Sequence, residues 1–141
     1  MPVRFDRLRH PKRDMIWVAL AGPASNLIQA LFWGALLYVL LGLGVSEPFF
    51  LQMCKGGVLV NIVMFAFNLF PLPPLDGGRV LAGLLPRHAA NALSRVEPYG
   101  FFIVMALVVT GIVSSLWMRP LMNATYGLLE VLLTPLKLLF S

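Results

Sequence analysis

Asn68-Leu-Phe-Pro71-Leu-Pro73-Pro74-Leu-Asp76-Gly77-Gly78 brings the end of an apolar helix up against three prolines, a carboxylate and two glycines. Proline has no backbone N–H and restricts the residue before it, so a regular helix cannot run through 71–78. In lipid the carbonyls released by such a break need partners, and the break is tolerated only inside protein or beside a water-filled cavity. An ionised Asp76 at that place requires a cation, a metal or a network of donors. Gly77 and Gly78 allow another backbone or a substrate to approach closely. Two compatible readings of Asp76 stand: a functional carboxylate lining a cavity, and a cap for a helix that starts at Gly77.

The rest of the chain supplies the lipid setting. Of 141 residues, 59% are apolar and 12% charged, against about 25% charged in a soluble domain. This excludes a disordered chain and a nucleic-acid module, and the single cysteine, Cys54, excludes a disulfide scaffold. A transmembrane helix needs about 20 apolar residues. The sequence therefore predicts an all-α polytopic membrane protein, one membrane domain over 1–141 with about four transmembrane helices. A basic interfacial segment occupies 1–14, the candidate spans are 15–43, 56–70, 98–117 and 121–140, and the helix broken at 71–78 is one of them. Asp14 is placed to cap the first span, and Trp17 and Tyr38 suit its two interfaces. The fourth stretch is interrupted by Glu130, Pro135 and Lys137.

Basic residues set an orientation. With four spans, Arg4, Arg7, Arg9, Lys12, Arg13, Arg79, Arg87, Arg95 and Lys137 fall on one side, and Lys55 and Arg119 on the other. By the positive-inside rule both termini are expected in the cytoplasm. Among polar residues in the first span, Ser25, Asn26 and Gln29 share a helical face, as residues that pack helices in lipid often do.

The segment 68–78 resembles the Asn-x-x-Pro-x-Pro-x-Leu-Asp-Gly motif of the site-2 protease family, the intramembrane zinc metalloproteases. Ala21-Gly22-Pro23-Ala24-Ser25-Asn26 is similar to that family's AGPxxN motif, and the two follow the family's order on consecutive spans. The likeness is to compact members without a PDZ domain. It implies an endopeptidase acting on transmembrane protein substrates in the bilayer, expected in a prokaryotic plasma membrane. It also implies Zn2+ as cofactor, held by two histidines of an HExxH and by an aspartate, here Asp76. Such a zinc lowers the pKa of its bound water and polarises the scissile carbonyl. By the same resemblance Asn68 supports substrate or transition state, and Pro71, Pro73, Gly77 and Gly78 shape the cleft. Asn26 divides between site support and packing.

The sequence contains no HExxH. Its histidines are His10 and His88; nothing fixes their spacing to Asp76, and a lone loop histidine is usually solvated. Three accounts are consistent with this. The sequence is the later half of a longer protease, or a noncatalytic membrane interaction protein on the same scaffold, or one chain of a pair whose partner supplies the HExxH. The basic opening resembles the stretch that joins the HExxH half to the AGPxxN span, which favours the first. A small ion-coupled transporter with its ion site at the broken helix is a further reading, although no second interrupted segment repeats it.

Overall fold

A computed structural model of the chain describes residues 11–140, and helix dominates them. The order is α1 (Pro11–Gly42), α2 (Pro48–Asn68), α3 (Asp76–Leu84), α4 (Arg87–Val109), a π-helical turn (Ser114–Met118) and α5 (Arg119–Phe140). There is no strand among the described residues. Three helices are long and apolar enough to cross a membrane, over Arg13–Gly42, Pro48–Asn68 and Arg87–Val109. The protein is an all-α polytopic membrane protein, with one helix ending at the proline-rich Asp-Gly segment. α5, which carries Arg119, Glu130 and Lys137, is not among the three.

Several helix limits differ from those expected, each for a local reason. α1 starts at Pro11, so Asp14 lies in its first turn; there it meets the positive end of the helix dipole rather than capping it. Residues 1–10 of the basic segment, with His10, lie outside the described residues. α2 begins eight residues before position 56, with Pro48 at a favoured first position. Gly56 and Gly57 do not break it, because the Trp33 ring lies directly over Gly57 and a small residue there lets α1 and α2 pack closely. α4 starts at Arg87, takes Pro98 into its body and stops at Val109. Thr110 closes its last turn and Gly111, at φ +82°, redirects the chain. The left-handed conformation that Gly111 adopts costs other residues strain.

α1 and α2 form an antiparallel hairpin joined by a turn at Gly44 (φ +82°). α5 then lies along α1 in the same direction: Gly34 faces Leu133, and Gly42, at the end of α1, faces the Phe140 ring. Ala30, Ile62 and Leu129 form the core where α1, α2 and α5 meet, surrounded by Leu27, Leu31, Val58 and Met122. This packing sets the end of α5 beside the end of α1. α1 is 32 residues long, about 48 Å at 1.5 Å per residue, so its two ends lie far apart. Phe140 lies at the Gly42 end, which places Lys137 away from Arg13 and not beside it. α5 starts beside the Ala66 end of α2 and runs toward the Gly42 end of α1.

Candidate functional site

The site is built where α2 stops. Leu69 closes α2 with its N–H on the Phe65 carbonyl, after which prolines remove the donors that a further turn would use. The chain instead folds through short bonds, Leu72 N–H to the Phe70 carbonyl at 2.8 Å and Leu75 N–H to the Leu72 carbonyl at 3.0 Å. The Pro73–Pro74 peptide is cis. α3 starts immediately afterwards, and Leu75, not Asp76, is its N-cap residue. Asp76 is the first residue of α3 and no side-chain capping bond is made there. The capping reading of Asp76 is thereby replaced. Its carboxylate points to α1.

Glycines make the approach possible. A Cβ on Gly22 would stand 3.0 Å from Asp76 Oδ2 and 3.9 Å from its Cγ. A Cβ on Gly77 would fall on the carbonyls of Leu69 and Phe70, and one on Gly78 would fall on the Leu72–Pro73 backbone. Both glycines are buried, as is Pro73, while Pro71 is exposed. Gly100 brings α4 onto the Pro73 carbonyl from the other side. The loop that delivers Asp76 is thus held between α2, α3 and α4 by backbone contacts that tolerate no side chain.

The two sequence motifs converge. Gly22 and Asn26 are four residues apart on α1 and so share a face, and it is this face that receives Asp76. Asn68 ends α2 one residue before Leu69, on which Gly77 rests. Asn26, Asn68 and Asp76 are each half-buried. Gly22 lies nine residues beyond Arg13, about 13 Å along α1, so the carboxylate sits well below the basic end of the helix. Ser25, by contrast, is exposed and receives a hydrogen bond from Gln29 Nε2 at 3.2 Å, which fits packing or lipid-facing surface more than the site.

The metal implied by the motif was judged against the donors present. Among the described residues no three His, Cys, Asp or Glu side chains gather around one point. His88 is exposed on the first turn of α4, and His10 is outside the described residues. A zinc centre takes three or four protein ligands. The described residues offer a carboxylate at Asp76 and do not by themselves form a zinc centre.

Two further residues belong to this region. Trp117 donates its indole N–H to the Ala66 carbonyl at 2.8 Å, and Gly100 admits the proline loop. Gly100 carries a sequence signal, a glycine inside an apolar helix; a single tryptophan carries none.

Residues 44–111, which include the whole 68–78 segment, match Peptidase family M50. The chain is 37% identical to "Putative zinc metalloprotease YwhC" of Bacillus subtilis over 131 residues, 88% of this chain and 58% of the relative. It is 32% identical over 101 residues to the Rip2 protein of Mycolicibacterium smegmatis and 30% identical over 112 residues to the Rip3 protein of Mycobacterium tuberculosis, which carry the same description. These alignments take in 66% and 72% of this chain and 35% and 28% of those relatives. The chain therefore spans little more than half the length of YwhC, and about a third of Rip2 and Rip3. No solved structure matches it. With the Leu-Asp-Gly segment inside the matched stretch and the AGPxxN-like segment set against it on α1, the chain belongs to peptidase family M50.

Proposed function

We propose that the chain is the aspartate-bearing half of a zinc-dependent intramembrane endopeptidase, with Asp76 as one zinc ligand. The observation that carries this reading is the Asp76 carboxylate set against Gly22, at a helix break that glycines hold closed. The histidine donors come from an HExxH outside this sequence, on a preceding segment or a partner chain. Asn68 supports the bound substrate or the transition state, Asn26 supports the site or packs α1, and Pro71, Pro73, Gly77 and Gly78 shape the cleft. Substrates are transmembrane helices or their juxtamembrane ends. Such a helix hides its carbonyls in its own hydrogen bonds and must unwind locally before it is cut. The basic end, with Arg13, Arg87 and Arg95, faces the cytoplasm of a prokaryotic cell.

The test joins the chain to an HExxH-bearing segment, or co-expresses the two. Zinc content and cleavage of a transmembrane reporter are then measured. The expected result is about one zinc per complex and cleavage, both lost in Asp76→Ala with membrane insertion intact. Retained zinc and cleavage in that variant overturn the ligand role. Absence of both from the unsubstituted complex supports the noncatalytic membrane interaction protein instead.

A further inference from the structure

Ala66 is buried in the last turn of α2. In an unbroken helix its carbonyl accepts the N–H four residues on, that of Phe70. Here the Phe70 N–H turns to the Phe67 carbonyl at 3.1 Å, because the chain is already entering the proline loop. The Ala66 carbonyl would be left without its helical donor at a depth where an unsatisfied backbone group costs several kcal/mol. Trp117, 51 residues away, provides the replacement through Nε1–H at 2.8 Å. The same indole meets the Phe70 ring edge to face, with centroids 5.5 Å apart and planes at 89°.

The backbone around Trp117 is shaped to deliver it. Gly111 turns the chain, and the Ser115 N–H and Oγ–H both bond to the Gly111 carbonyl, at 3.0 and 2.9 Å. The π-helical turn follows, closed by the Arg119 N–H on the Ser114 carbonyl five residues earlier. Turns of this kind shift the register of the side chains they carry and are frequent at functional sites.

We propose that Trp117 is a positioning residue of the protease site. Through Ala66 and Phe70 it fixes the last turn of α2, hence Asn68 and the carbonyls of Leu69 and Phe70 on which Gly77 rests. The position of Asp76 against Gly22 therefore depends on an indole supplied from the π-helical turn before α5. This inference deepens the function proposed above and takes from it the meaning of the site; its geometry can be tested without zinc or activity.

The experiment uses the whole chain in lipid nanodiscs, with Cys54→Ala as background. Oxidative cross-linking is followed for Gly22→Cys paired with Asp76→Cys, and for a control pair on the α1–α2 hairpin, Trp33→Cys with Gly57→Cys. Trp117→Phe keeps an aromatic ring and loses the donor; it is expected to slow the 22–76 cross-link at least fivefold and to leave the control rate unchanged. Trp117→Leu provides a second removal and is expected to do the same. Equal 22–76 rates with and without the indole overturn the role of Trp117 and leave the ligand role of Asp76 standing. Slowing of both pairs together overturns it too, since the effect is then general unfolding. Failure of the 22–76 pair to cross-link with Trp117 in place overturns the site geometry itself, beneath both proposals.

Discussion

Gly22 of α1 leaves empty the space that the Asp76 carboxylate approaches, with 3.0 Å between a Cβ at position 22 and Asp76 Oδ2. The missing side chain is what lets a charged group from α3 come so near the backbone of a transmembrane helix.

Gly22→Ala forces that carboxylate to move by a few tenths of an ångström, and Gly22→Val by more. In the complex carrying HExxH, the alanine variant is expected to lower cleavage about tenfold and the valine variant more, as small displacements at reacting groups do. Membrane insertion and thermal stability should stay close to the parent. Equal activity in both variants counts against the placement of Asp76.

Gly77 and Gly100 face backbone, which cannot swing aside. Gly77→Ala and Gly100→Ala are each expected to destabilise the fold by about 1–3 kcal/mol, the usual cost of overpacking, measured by denaturant titration in mixed micelles. Gly127→Ala is the contrast: it lies inside α5 with open space around it. That substitution should be neutral or stabilise by up to about 1 kcal/mol through helix propensity.

The direction of α5 gives a topological prediction. In a Cys54→Ala background, single cysteines at Ser46 and Ser141 should react with a membrane-impermeant maleimide from the same face, and one at His88 from the opposite face. Labelling of positions 88 and 141 from one side would refute the parallel packing of α1 and α5.

Metal retention tests the proposed division of the zinc ligands. The 141-residue chain alone, purified after chelation and offered zinc, should retain well under one equivalent, because one carboxylate is not a closed site. His88→Ala should not change that retention. Near-stoichiometric zinc that falls in the His88→Ala variant would show a metal centre built from this chain's own residues.

The sequence by itself determined the membrane class, the helical fold, the break at 71–78 and the two motif segments. Each of these is local: apolar length, missing donors at prolines and motif spacing act over a few turns of chain. Helix limits were less legible. Pro98 and the Gly56–Gly57 pair read as boundaries, yet the helices run through them, because neighbouring chain and lipid stabilise what propensity alone would break. Only the tertiary structure decided that Asp76 begins α3 facing Gly22 and does not cap it, that Trp117 serves Ala66, and that α5 runs with α1 and not back to the basic end. Those outcomes depend on packing between residues 50 and 100 positions apart, where glycines permit contacts that no local pattern encodes.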